Sequence, residues 1–147
     1  MNIIFVCLGN ICRSPMAEFV MKDMVNRAGL SDYCNIISRA TSDEEEGNPM
    51  HYGTRKILDK YSIPYEPRRA TVITREEYDW ADVVLCMEDS NVRNLKWIIG
   101  EDNKTQKLLS RNVADPYYTG NFEVTYRDVC EGCKNLLDKI KAGYVTR

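Results

Sequence analysis

The change of periodicity between Asn2 and Ala28 constrains this fold more than anything else in the sequence. Asn2–Val6 is a short, apolar, β-branched run that reads as a buried strand. A tight loop, Cys7 to Arg13, leads to Pro15, whose missing N–H suits the first turn of a helix. Ala17, Val20, Met21, Met24, Val25 and Ala28 then recur at helical spacing, and Gly29 is a stop signal. Cys34–Ala40 reads as a second strand. Strand, helix and strand in that order predict a parallel βαβ unit with a right-handed crossover.

The same alternation continues along the chain. An acidic loop, Asp43 to Glu46 with Gly47-Asn48-Pro49, leads to a short helix over Thr54–Tyr61. Thr74-Arg-Glu-Glu77 is a capping box opening a helix through Tyr78 and Trp80. Asp82–Met87 reads as a third buried strand. Asp89 or Ser90 caps the next helix, Gln106–Ser110 is a candidate fourth strand, and Phe122 to Ile140 forms a long apolar stripe ending near Gly143. The fold class is α/β, with an open, mostly parallel sheet. At 147 residues the whole chain, 1–147, is expected to be one domain.

A net charge of −2 gives no footprint for nucleic acid or an anionic membrane, so neither is expected as a partner. The N-terminus lacks a basic n-region, and its apolar run is broken at Gly9, Asn10 and Arg13, which argues against a signal peptide or a membrane span. A cytoplasmic location follows as the default, and the six cysteines are then expected as thiols. Cys130 and Cys133 share the apolar stripe of a helix, where core packing is the simpler role. The single histidine, His51, is expected on the surface.

The chemistry concentrates at the first loop. A loop running into a helix N-terminus aims unpaired amides inward, and the helix dipole adds positive charge, so the concavity suits a phosphate-like oxyanion. The same field favours a thiolate over a thiol. Cys7 opens the loop, and Arg13 can offer a planar fork to two oxygens. Leu8, Gly9, Asn10, Ile11 and Cys12 supply the loop backbone. Gly9 and Asn10 are the residues expected to take positive φ, and Ser14 can either donate to the Cys7 sulfur or cap the helix. A lone cysteine ending a strand is more often inert; Cys, five residues, then Arg-Ser between strand and helix is far more specific. Asp115-Pro116 supplies a carboxyl group held in direction by proline, a candidate general acid and base. Tyr117 and Tyr118 either form an aromatic wall for a substrate ring or pack ordinarily.

Cys7-Leu-Gly-Asn-Ile-Cys-Arg-Ser-Pro-Met-Ala-Glu18 resembles the signature of the low-molecular-weight protein tyrosine phosphatases, and Asp115-Pro-Tyr-Tyr118 resembles their second signature. The likeness extends through Gly47-Asn48-Pro49 and Leu85–Asn91 to the C-terminal helix. It implies a single-domain, four-stranded parallel sheet with helices on both faces. It also implies metal-independent phosphomonoester hydrolysis without a cofactor, through phosphocysteine on Cys7, with Arg13 binding phosphate and Asp115 as acid and base. Substrates would be phosphotyrosine proteins or small aryl phosphates, acted on by a monomer or weak dimer. The resemblance favours a redox role for Cys12 as partner of Cys7, and marks Tyr117 and Tyr118 as positions a kinase can modify.

Several positions depart from the family pattern. Ser38-Arg39-Ala40-Thr41 stands where relatives often have Ser-Ala-Gly-Thr, and Glu44 or a neighbour stands where many have an aromatic pocket wall. Relatives commonly carry His-x-Ala-Arg, whose histidine braces the loop; here Arg68-Arg69-Ala70-Thr71 leaves the bracing of Asn10 to another group, with Ser38 as a candidate. Ile11 stands where a phosphoarginine-specific branch tends to have threonine, which tilts the expectation to phosphotyrosine. Two rival functions are a thiol-dependent arsenate reductase, for which Cys86 would be the relay, and a non-catalytic phosphate-binding module.

Overall fold

The computed structural model describes residues 1–100 and 103–143, so the last four residues of the expected domain lie outside them. β1 (Asn2–Cys7) pairs in parallel with β2 (Asn35–Ala40) on one side and β3 (Val83–Cys86) on the other. β4 (Thr105–Lys107) adds to β3, also parallel, giving the order β2-β1-β3-β4. Because side chains alternate along a strand, β1 feeds two cores. Ile3, Phe5 and Cys7 face α1 (Arg13–Arg27), α2 (Tyr52–Lys60) and α6 (Phe122–Ala142). Ile4 and Val6 face α3 (Arg75–Trp80) and α4 (Asp89–Ile99), meeting Tyr78, Leu95 and Ile99. Helices therefore cover both faces of a single-domain α/β sheet, as expected.

That arrangement places the site. The chain leaves β1 toward one neighbour, β2, and β3 lies on the other side, so the order reverses between β1 and β3. Loops leaving the carboxyl ends of strands part at such a point and open a crevice. Both Cys7 and Glu88 emerge there.

The local signals mostly act as read, with instructive exceptions. Thr74 and Glu77 form the reciprocal capping box. α1 runs to Arg27, and Gly29 takes φ 75° after it. α2 starts two residues before Thr54, because His51 Nδ1 accepts the Gly53 N–H at 2.9 Å; the exposed imidazole is thus a helix cap, stacked on Phe122. α4 is preceded by Glu88 at the cap position, not Asp89 or Ser90; Asn91 Oδ1 accepts the Met87 and Glu88 N–H groups. β4 begins at Thr105 and stops at Lys107, short of Ser110, because Leu108 and Leu109 turn into the core. Leu108 lies so close to Gly132 that a β-carbon there would meet it at 2.3 Å, which explains a glycine inside α6. Cys133 is fully buried with its thiol toward the Ala17 carbonyl, as the packing role required. Among the described residues no helix is long and apolar enough to cross a membrane.

Candidate active site

The Cys7–Arg13 loop is an arch with its carbonyls fastened outward. Cys7 O accepts from Thr41 N, Leu8 O from Ser42 N, Ile11 O from His51 N and Cys12 O from Met16 N, at 2.8 to 3.1 Å. Asn10 O accepts from Arg68 Nη1 at 2.7 Å. Among the described residues no hydrogen bond occupies the N–H groups of Leu8, Gly9, Ile11, Cys12 or Arg13. Amides so released beside a helix N-terminus form an anion-binding concavity.

Asn10 alone in this loop takes positive φ, at 59°. Gly9 does not, contrary to expectation; Glu45 Cγ lies 3.1 Å from where its β-carbon would stand, so a larger residue there would push the Glu45 side chain aside by a few tenths of an ångström. In the acidic run it is thus Glu45 whose side chain lies against Gly9, whereas Glu44 is exposed with its N–H on Ser42 Oγ. Cys7 is 3% exposed, with Ser14 Oγ 3.0 Å and Asn10 N 3.3 Å from its sulfur. Of the two roles open to Ser14, the structure selects contact with sulfur; Cys12 occupies the cap position of α1 without a side-chain cap. Leu8 is partly exposed, and Ile11 and Cys12 are half-buried. Burial, then the neighbouring Cys7 and Asp115, push the Cys12 thiol up to about 12. Cys12 is thus held as a neutral thiol beside Cys7.

Arg13 joins the loop to the distant acid. Its buried guanidinium lies 3.3 Å from Glu88 Oε2 and 3.3 Å from Asp115 Oδ2, and donates to Val113 O at 3.2 Å. Asp115 caps α5 (Pro116–Thr119), a one-turn helix that Gly120 ends at φ 69°. Its Oδ1 takes the Tyr117 N–H at 3.0 Å, which leaves Oδ2 toward Arg13. Tyr117 and Tyr118 are 84% and 83% exposed and meet edge to face, so ordinary packing is excluded. Asp, Pro and Gly at its cap, first and final positions are the sequence signals of this turn.

Two further groups belong to the site, one with no signal in the sequence and one whose role differs from the expectation. Glu88 follows β3 at the point of strand-order reversal, a signal that topology alone supplies. Burial pushes its carboxyl up, but the Ser90 hydroxyl and the Arg13 guanidinium outweigh it and hold the group below the usual carboxylate range. Its contribution is then present above the ordinary glutamate value of about 4.3 and lost as pH falls below it. The difference in Tm between the native chain and Glu88→Gln should be largest at neutral pH and close as pH falls below about 4; a difference constant with pH would rule this linkage out. Arg68 is the second group, and it corrects the expectation that this stretch leaves the bracing of Asn10 elsewhere: its guanidinium donates to both Asn10 O and Asn10 Oδ1. Ser38 braces Asn10 as well, accepting from Asn10 Nδ2 at 3.1 Å.

The profile of the low molecular weight phosphotyrosine protein phosphatases matches residues 2–145. The low molecular weight protein-tyrosine-phosphatase PtpA of Staphylococcus epidermidis is 42% identical over 146 residues, spanning 95% of this chain and 93% of its own. The crystal structure of the Streptococcus pyogenes low molecular weight protein tyrosine phosphatase superposes with a TM-score of 0.88 at 45% identity, covering 94% of this chain and 91% of that one. YfkJ of Bacillus subtilis superposes at 0.92 with 34% identity, covering 97% and 95%. With its profile matched along nearly the full length, the chain belongs to the low molecular weight protein tyrosine phosphatase family.

Proposed function

We propose that the protein hydrolyses phosphotyrosine in proteins, and small aryl phosphates, by two displacements at phosphorus through Cys7. The observation that carries this reading is the position of Arg13, which touches Asp115 while closing the loop that Cys7 opens. In the first step the Cys7 thiolate attacks in line, the phosphorus–oxygen bond to the leaving group breaks, and Asp115 gives that oxygen its proton. The loop amides and Arg13 stabilise the charge on the three non-bridging oxygens. In the second step Asp115 takes a proton from water, the water oxygen bonds to phosphorus, and the sulfur–phosphorus bond breaks to regenerate the thiolate. Leu8 to Cys12 and Ser14 form the phosphate cradle. The exposure of Tyr117 and Tyr118 next to Asp115 supports their contact with a substrate ring.

Cys12 is suited to protect Cys7: peroxide converts the thiolate to a sulfenic acid, and Cys12 sulfur displaces water from it to close a disulfide that a thiol reductant reopens. The arsenate reductase reading finds no support. Cys86 is fully buried and faces the core opposite to that of Cys7, so it has no route for relaying a disulfide outward. The test is hydrolysis of para-nitrophenyl phosphate and of a phosphotyrosine peptide by reduced protein in EDTA. Turnover of both is expected; inactivity on both between pH 5 and 7 would refute the reading.

A further inference from the structure

Arg68 forks onto a single residue. Nη1 donates to the Asn10 carbonyl at 2.7 Å and Nη2 to Asn10 Oδ1. Thr71 N also donates to that Oδ1, at 3.2 Å. Both neighbours on this side of the amide are donors, and a guanidinium has no acceptor to offer in exchange. The carboxamide therefore has one permitted orientation, with Oδ1 toward Arg68 and Nδ2 away from it. Nδ2 then faces Ser14 Oγ at 2.8 Å and Ser38 Oγ at 3.1 Å. Ser38 donates its own proton to Glu18 Oε1 at 2.6 Å, so it receives from Asn10. Ser14 likewise receives from Asn10, and its hydroxyl proton is left for the Cys7 sulfur at 3.0 Å.

We infer that Arg68 is a positioning residue that sets the direction of the hydrogen-bond chain Arg68–Asn10–Ser14–Cys7, so that Ser14 donates to the thiolate. The inference rests on the reading of Cys7 as nucleophile and adds to it a group outside the loop that polarises it. Charge alone is not the device. The fork grips both the backbone carbonyl and the side-chain oxygen of a buried asparagine at φ 59°. It also fixes which end of the amide meets Ser14. A lysine at the same position would keep the charge and lose the fork.

The experiment is alkylation of Cys7 by iodoacetamide at pH 6, mapped by mass spectrometry, with Tm and para-nitrophenyl phosphate turnover measured in parallel. Arg68→Met should slow alkylation about tenfold, the scale of one hydrogen bond to a charged group. Arg68→Lys should fall nearly as far. Arg69→Met, an exposed neighbour that donates to Gly47 O, should match the native chain. In a Ser14→Ala background the effect of Arg68→Met should shrink to about twofold, because the two residues act in series. A merely structural role would lower Tm and add independently to Ser14→Ala. Native-like alkylation in Arg68→Lys, or a full additional loss with Ser14→Ala, would overturn the relay. If the native chain failed to hydrolyse either substrate while this pattern held, the hydrolase reading would fall and the relay would stand.

Discussion

Replacing Cys7 with serine is expected to reduce turnover by on the order of 10⁴-fold or more, because the hydroxyl is far less ionised than the thiol and no second nucleophile stands in its place. The change is nearly isosteric, so the arch should survive it. Its carbonyls are tied to Thr41, Ser42, His51 and Arg68, and none of those bonds involves the sulfur. Inorganic phosphate should accordingly still bind Cys7→Ser, with affinity within a few-fold of the native chain as read by titration calorimetry. Turnover surviving within about tenfold would show that the reaction does not pass through this sulfur.

Asp115→Asn should lower kcat by about 10² to 10⁴-fold, the usual worth of a placed general acid and base. Asparagine can still accept the Tyr117 N–H, so the turn of α5 and the exposed tyrosines should keep their places. The loss should depend on the leaving group. A para-nitrophenolate departs without much help, whereas an unsubstituted phenolate or a peptide tyrosine needs the proton. The deficit should therefore be larger for phenyl phosphate than for para-nitrophenyl phosphate. An equal deficit for the two would mean that Asp115 serves through its contact with Arg13, not by proton transfer.

Much of this molecule was written in short-range signals. Asn2–Val6, the apolar spacing of α1 and the Thr74–Glu77 box depend on neighbours a few residues away, and each appears where it was expected. Cys7 and Arg13 were legible because strand and helix set their relation locally. The departures have a common cause. Arg68 meets Asn10 across 58 positions, and Arg13 meets Glu88 across the gap between two strands. Neither pairing leaves a periodic trace. Glu45 and Glu44 are chemically identical, so only the path of the loop over Gly9 separates them. At Gly9 the expected positive φ is absent, and what the glycine provides is a close approach of the Glu45 side chain.

The Arg13 contacts also order events in time. The proposed nucleophile and its cradle are encoded in the first helix and strand, but Val113 and Asp115 reach Arg13 across about a hundred positions of chain. At synthesis rates of about 5–20 residues per second, roughly 5–20 s separate the emergence of the thiol from that of its acid. β1 cannot be sandwiched on both sides until β3 arrives, and Ala114 is fixed only when Asp128 and Thr125 of α6 take up its N–H and its carbonyl. A nascent chain thus carries the proposed nucleophile well before the proposed acid is in place, and α6, whose Thr125 and Asp128 hold Ala114 beside that acid, follows both in the chain.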